Sequence, residues 1–393
     1  MTMPEDNFSA ATLRRHNLSY FALCLLIPLG SSLIYPVLSL YLSTELQFSP
    51  FVVSLFFMLL PLATILIVQA VAWLSDKGLS RPLLILLSSL CAAAVGLLLA
   101  LRPSELWVCT IGLLLFGASG ISFPQIFASA REYAVRYLHG SMMFSTVLRA
   151  LVSLAWVMGP PLSYYIATEL GFNALYAACG CAFVLSGLYA LLFLPRMPVA
   201  PRTEQRSQGQ WWRNRDIMLL FISCALTSTA FSSYITSMPL YLTAELDLGK
   251  KLPGVMYALG AFFEIPIMLI SVRLSRFISL KNLLIVAAAC QTAFLLLIPH
   301  YTSAALFMIS ALLPAMYIAL FSNLGMLYFQ KLMPAIPGQA TSLFINSGQI
   351  GQVLAGLFFS LSASGSYKGI YYAGALCCVL GLIMLFKVGN TKA

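Results

Sequence analysis

Residues 51–74 read FVVSLFFMLLPLATILIVQAVAWL, an apolar run without a charged side chain. A helix rises about 1.5 Å per residue, so a run of this length matches the roughly 30 Å hydrocarbon core of a bilayer. Comparable runs recur along the rest of the chain and together predict twelve transmembrane helices. The other runs lie near 18–43, 83–101, 106–128, 141–167, 173–194, 216–243, 252–273, 282–299, 304–329, 339–363 and 369–387.

The composition supports this prediction. The chain has 393 residues, of which 60% are hydrophobic and only 9% are charged, whereas a soluble domain carries about 25% charged residues. This excludes an ordinary soluble enzyme, and it also excludes a disordered or disulfide-stapled chain. The predicted fold class is therefore an all-α polytopic membrane protein with no room for a sizeable soluble domain.

The net charge of +10 does not indicate nucleic-acid binding, because the charges lie in short connections between apolar runs. If the N-terminus is inside, the inner segments hold 17 Lys and Arg residues and the outer loops hold 4. Cytoplasmic segments carry an excess of positive charge. We therefore expect both termini and the polar stretch 195–215 to be cytoplasmic.

An internal repeat divides the chain into two halves. At an offset of 200 residues, YLSTEL at 41–46 corresponds to YLTAEL at 241–246, and LLI at 83–85 corresponds to LLI at 283–285. Two related six-helix bundles imply a central pathway between them. The predicted organisation is an N-terminal tail 1–17, a first bundle 18–195, a linker 196–215, a second bundle 216–388 and a C-terminal tail 389–393.

Two ionisable residues, Arg149 and Glu264, fall deep within predicted spans. A charge at mid-bilayer costs about 2.5–3.5 kcal/mol on insertion scales, so such residues pair, face a cavity or titrate. One interpretation is a structural ion pair that fixes two helices together. The other is that Glu264 takes up and releases a proton, while Arg149, which stays protonated, modulates it or holds a substrate hydroxyl.

Uncharged polar residues recur at helical spacing in the fifth and eleventh spans. In lipid such stripes point away from the acyl chains, so they either bond neighbouring helices or line a cavity. We predict that Ser145, Asn346, Gln349 and Gln352 bind substrate. Trp156, Tyr35 and Tyr234 are candidates for stacking on a sugar ring, although most membrane aromatics serve packing or the interface.

The sequence contains no pattern typical of a metal, a cofactor or a catalytic centre. The nine cysteines lie in apolar stretches without a CxxC motif, and the histidines (His16, His139, His300) lie at span ends or in loops. We expect no metal and no cofactor. A membrane enzyme or a non-transporting receptor is therefore a weaker interpretation than a transporter.

Two short motifs are similar to motifs of major facilitator proteins. The loop DKGLSR at 76–81 resembles the charged motif between their second and third spans, with Ala72 where a Gly is usual. Gly159-Pro160 resembles the fifth-helix motif of antiporters in that superfamily. The resemblance implies that Asp76, Lys77 and Arg81 latch the inward gate, and that Gly159 and Pro160 also serve gating.

A longer resemblance covers most of the chain. The stretches FPQIFA at 123–128, SLAWVMGPPL at 153–162 and FEIP at 263–266 closely resemble the bacterial sugar efflux transporter family. Its members are twelve-helix inner-membrane exporters of sugars and glycosides, thought to be driven by proton exchange. Gln125, inside the first of these stretches, is accordingly a candidate substrate ligand.

The resemblance also implies partners and location. We expect a sugar or glycoside as substrate, protons as the coupling ion, the lipid bilayer of the bacterial inner membrane as the environment, and a monomer. The alternative is a proton-coupled exporter of amphipathic drugs. Amide side chains favour sugars because hydroxyl groups need paired donors and acceptors, whereas a cavity dominated by Phe and Met favours drugs.

Overall fold

The computed structural model describes residues 10–75, 79–138, 142–195, 211–333, 337–360 and 366–389, and in these ranges the chain is helical, without strands. We number the long helical segments α1–α12. Their bounds are α1 Ala10–Leu40, α2 Pro50–Ser75, α3 Arg81–Ala100, α4 Glu105–Tyr137, α5 Met142–Glu169, α6 Phe172–Phe193, α7 Arg215–Leu240, α8 Leu252–Leu274, α9 Leu280–Leu297, α10 Ala304–Leu332, α11 Pro337–Phe359 and α12 Lys368–Lys387.

Eleven of the described helices are long and apolar enough to cross a membrane. The remaining one, α11, has the required length, but its sequence is more polar, with Asn346, Gln349 and Gln352 on it. It is nevertheless central, because it packs between α7 and α2. A helix buried among its neighbours tolerates polar residues that a lipid-facing helix does not. The predicted all-helical, twelve-segment membrane fold is confirmed.

The helices form two bundles. In the first, α3 packs on α6, α1 on α5 and α2 on α4; in the second, α7 packs on α12, α9 on α12 and α8 on α10. Each bundle has its own apolar core. The bundles meet mainly where α5 contacts α8, α2 contacts α11 and α1 contacts α7.

The internal repeat is also visible in three dimensions. Both α1 and α7 end in a π-helical turn, Tyr41–Glu45 and Tyr241–Glu245, and each turn is followed by a residue with positive φ, Gln47 at 55° and Asp247 at 49°. The two tyrosine rings also pack alike. The ring centroids of Tyr41 and Tyr176 are 4.8 Å apart, and those of Tyr241 and Tyr371 are 5.0 Å apart. The bundles are therefore structural repeats of each other.

The two ends of the molecule differ. At one, which we term the linker end, Arg15 of α1 lies 5.1 Å from the ring of Phe193, the last residue of α6. The start of α7 meets the end of α12 there, because the Asp216 carboxylate accepts a 3.0 Å hydrogen bond from the Gly389 N–H. The opposite, far end carries the turns near 46–49, 101–104, 170–171, 246–251 and 300–303.

Two helices begin or end away from the predicted limits. Helix α1 begins at Ala10, within the predicted N-terminal tail, and α4 continues to Tyr137, beyond the predicted limit near 128. Both extensions lie at the linker end and carry charged residues. The linker 196–210 lies outside the described residues, and Trp211–Arg213 forms a short 3-10 turn before α7.

Candidate functional site

Two adjoining cavities lie between the two bundles. One has a volume of about 490 Å³ and carries Gln349 and Gln352, and we term it the glutamine lobe. The other has a volume of about 390 Å³ and carries Glu264, and we term it the glutamate lobe. Five residues line both lobes: Trp156, Phe231, Ile235, Ile318 and Ser322.

The glutamine lobe combines amide groups with aromatic rings. Gln349 and Gln352 project from α11, and Tyr35 of α1 and Trp156 of α5 supply rings. Neither amide forms a hydrogen bond with any residue in the described ranges. An amide offers two donors and an acceptor, so these groups remain free to bind the hydroxyls of a small polar molecule.

Helix α7 adds hydroxyl groups that the sequence analysis missed. Ser233 and Ser237 each donate a 2.7 Å hydrogen bond to the carbonyl four residues earlier in their own helix. Ser232 and Thr236 instead line the glutamine lobe, and neither bonds to another residue in the parts of the chain that the structure describes. Their i, i+4 spacing could have identified them, but hydroxyl residues occupy several faces of this helix and hide the pattern.

The glutamate lobe is more apolar. Glu264 of α8 is half-buried there beside Tyr234, Met256 and Ala261, and its carboxylate is the only one among the described lining residues of either lobe. Tyr257 also lines it, but its hydroxyl donates a 2.7 Å hydrogen bond to the carbonyl of Ile235. Glu264 has no hydrogen-bond or ion-pair partner within the described part of the chain. A carboxyl group so placed is free to exchange a proton or to contact a substrate.

Arg149 does not meet Glu264 in this conformation. Its exposed side chain lies one helical turn from Ser153, which lines the glutamate lobe and donates a 3.3 Å hydrogen bond to the Arg149 carbonyl. Arg149 is not part of the lining of either lobe, and no N–O distance of 4.0 Å or less joins it to Glu264 among the described contacts. The two groups predicted to interact are therefore separate here.

The structure distributes the other predicted substrate residues over several places. Tyr35, Trp156, Gln349 and Gln352 line the glutamine lobe, and Tyr234 lines the glutamate lobe. Asn346 is exposed but is not among the lining residues of either lobe. The Ser145 side chain lies outside the described residues.

Gln125, predicted to be a substrate ligand, is not among the lining residues of either lobe. Its side chain is buried, and its Oε1 accepts a 2.8 Å hydrogen bond from Arg81. Arg81 also donates to the carboxylate of Glu132, with Nε at 2.9 Å. This bidentate pair fixes the start of α3 to α4 within the first bundle. Asp76 and Lys77, which precede Arg81 in the predicted gating motif, lie outside the described residues.

Gly159 and Pro160 lie where three helices approach closely. A Cβ at Gly159 would overlap the side chain of Ser32, whose hydroxyl donates a 3.0 Å hydrogen bond to the Ala155 carbonyl of α5. One residue later, the carbonyl of Pro160 lies 3.1 Å from the position of a Cβ at Gly254 of α8. The motif therefore permits tight packing of α5 on α1 and of α5 on α8.

Polar links between the bundles lie at the far end. The Ser54 hydroxyl of α2 donates to the Gly356 carbonyl of α11, and Lys251 Nζ lies 2.6 Å from Glu169 Oε1. Gly356 also lies against the backbone of Met58 so closely that a Cβ would overlap it. These contacts join the two bundles at the far end.

Two structural repeats around a central cavity whose lining offers amide, hydroxyl and carboxyl groups define a membrane transporter of the two-bundle type. Residues 20–356 match the Major Facilitator Superfamily. The chain is 37% identical to sugar efflux transporter A of Dickeya chrysanthemi, over 94% of this chain and 95% of that protein. It is 36% identical to sugar efflux transporter C of Escherichia coli K12, over 86% of each. The chain belongs to the sugar efflux transporter family of this superfamily.

Solved structures agree on the fold. The nucleoside transporter NupG superposes with a TM-score of 0.81 at 14% identity, over 95% of this chain and 99% of that one. A bacterial homologue of the iron transporter ferroportin superposes with a TM-score of 0.73 at 17% identity, over 97% of this chain and 99% of that one. These relatives and neighbours confirm the prediction of a transporter rather than an enzyme.

Proposed function

We propose that the protein exports sugars or glycosides across the bacterial inner membrane in exchange for protons, by alternating access of the central cavity. The observation that carries the proposal is the glutamine lobe, where Gln349 and Gln352 present amides that bond to no residue of the described part of the chain. Relatives above 30% identity named sugar efflux transporters support the substrate class. Each chain contains a complete cavity, so we propose a functional monomer.

Sugar binding follows from the chemistry of this lobe. A sugar hydroxyl loses its hydrogen bonds to water on entry, and an unpaired buried polar group costs about 1–3 kcal/mol. The amides of Gln349 and Gln352 and the hydroxyls of Ser232 and Thr236 replace those bonds. Trp156 lies at the junction of the two lobes and offers an indole face for the apolar face of the ring.

Proton exchange is assigned to Glu264. A coupling group must change its charge during the cycle, which an Arg does not do because it remains protonated. Glu264 lies in the lobe that adjoins the sugar site and shares lining residues with it, so its protonation and sugar occupancy are able to exclude one another. Arg149, one turn beyond Ser153 on the facing helix α5, is the cation that meets the carboxylate in another conformation of the cycle.

The direction of transport follows from the orientation predicted by the charges. We infer that the far-end contacts close the cavity on that side, so with the linker end in the cytoplasm the cavity accepts substrate from the cytoplasm. Closure at the linker end, together with separation of α2 from α11, would then release the substrate outside. The bundle boundaries near 195 and 216 are the natural limits of the two moving bodies.

Proteoliposomes test this proposal. We expect purified protein to catalyse counterflow of a labelled glycoside and to concentrate it against a gradient when a pH difference is imposed. The same proteoliposomes are also assayed with amphipathic drugs, because the glutamate lobe is lined largely by apolar residues. Drug transport without glycoside transport would replace the sugar proposal by the multidrug one. Glycoside movement unaffected by the pH difference would remove the proton from the mechanism.

A further inference from the structure

A separate groove lies on the first bundle, outside the central cavity. It has a volume of about 550 Å³ and lies between the start of α1 and the end of α6, at the linker end. Its lining combines two cationic and four largely apolar residues: Arg14, Arg15, Ala11, Leu18, Tyr189 and Phe193. Neither the proposed transport mechanism nor the gating motifs involve this groove.

The charge of the groove favours an anion. Arg14 and Arg15 are both exposed, and the described lining contains no acidic side chain to neutralise them. Arg15 is positioned by the ring of Phe193, at 5.1 Å from the ring centroid. A guanidinium group binds phosphate oxygens through two parallel hydrogen bonds.

Beyond the groove, α6 carries further exposed apolar side chains on the turns that lie away from the arginines. Leu18 is 54% exposed at the groove, and the outward-facing Leu185, Leu188 and Leu192 follow on α6. A cationic end joined to an exposed apolar strip matches a molecule with an anionic head and an acyl chain. A soluble phosphate would contact the arginines but not the apolar lining of the groove.

We propose that this groove binds an anionic phospholipid, with Arg14 and Arg15 on the headgroup phosphate and Leu18 and Tyr189 along the acyl chain. The linker end lies where apolar spans give way to charged residues, which is the depth of lipid headgroups. The proposed orientation decides only which leaflet supplies the lipid. Bound there, the lipid connects α1 and α6, the first and last helices of the first bundle.

Native mass spectrometry of the full-length, detergent-purified protein tests the site. Phosphatidylglycerol and phosphatidylcholine of equal chain length are added separately, and bound lipid is counted for wild type, R14A/R15A and the control R131A/R136A. The control removes two exposed arginines of α4 at the same end. We expect wild type to retain phosphatidylglycerol preferentially, R14A/R15A to lose about thirtyfold in affinity, and the control to resemble wild type.

Three results would overturn the proposal. Equal retention of both lipids by wild type would exclude headgroup recognition, and an equal loss in R131A/R136A would reduce the effect to bulk charge. Displacement of phosphatidylglycerol by equimolar inorganic phosphate would make the groove an anion site rather than a lipid site. If R14A/R15A aggregates, R14K/R15K decides instead: we expect intermediate retention, because Lys keeps the charge without the planar donors, and wild-type retention would contradict the guanidinium assignment.

Discussion

Substitution of Glu264 tests whether transport is coupled to protons. In Glu264→Gln the side chain keeps its shape but cannot exchange a proton, so we expect loss of pH-driven accumulation with sugar counterflow and binding largely retained. Accumulation and counterflow in the same proteoliposomes measure the two effects separately. Glu105→Gln, an exposed position at the far end, is the matched control. Uphill transport by Glu264→Gln would show that another group carries the proton.

Alanine substitutions of Gln349 and Asn346 should differ in their effect on sugar affinity. Gln349→Ala removes an amide from the glutamine lobe, so we expect sugar affinity to fall by about 1–3 kcal/mol. Asn346→Ala, one turn away and outside the described lining, should leave affinity within about 0.5 kcal/mol. Titration calorimetry with a glycoside measures both, and circular dichroism verifies folding. Equal losses in the two variants would contradict the assignment of the lobe.

The sequence identified part of this site because amides and rings at helical spacing are costly to place in lipid. It could not distinguish Asn346 from Gln349, since positions three apart differ by about 60° around a helix and only the packing decides which of them meets the cavity. Gln125 is a similar case. Its partner Arg81 is distant in sequence, and nothing in the local pattern of α4 indicates that contact.

The contact of α2 with α11 gives a prediction about helix packing. In Gly356→Ala the new methyl group would overlap the backbone of Met58, so the two helices must separate. We expect the far end to become accessible, detected as faster labelling of a cysteine placed there. Gly348→Ala is the matched control on the same helix, because a Cβ there meets no atom within 4 Å. Unchanged labelling in Gly356→Ala would show that α2 and α11 do not seal this end.

Helix existence was predictable from the sequence, but helix ends were not. An apolar run marks only the part of a helix that lies in the hydrocarbon core of the bilayer. The helix itself continues beyond that core as long as its backbone hydrogen bonds are formed. The apolar pattern therefore did not predict the charged last turns of α4, which contain Arg131, Glu132 and Arg136. The π-helical turn at 321–325, which brings Ser322 to both lobes, likewise has no signature in local composition.

The orientation of the whole molecule is a prediction from its charge distribution. We expect a reporter fused after Gly209 to be cytoplasmic and one fused after Asp247 to be external, because positive charge concentrates on the linker side. Paired alkaline phosphatase and fluorescent protein fusions measure both positions, and each reporter is the control for the other. The opposite pattern would reverse the orientation and with it the proposed direction of transport.

Alternating access requires that the far-end closure open during the cycle. The Glu169–Lys251 pair that spans it is about half exposed on both sides, at 49% and 54%, and such pairs contribute about 0–1 kcal/mol. Its loss in Lys251→Ala should therefore leave transport close to wild type.

A covalent link between Glu169→Cys and Lys251→Cys, made with a short bifunctional reagent in a cysteine-free background, should instead abolish transport because the bundles cannot part. Glycoside binding should persist, since the cavity is formed in this closed-end state. Transport restored by cleaving the linker would exclude damage, and transport by the linked protein would contradict alternating access.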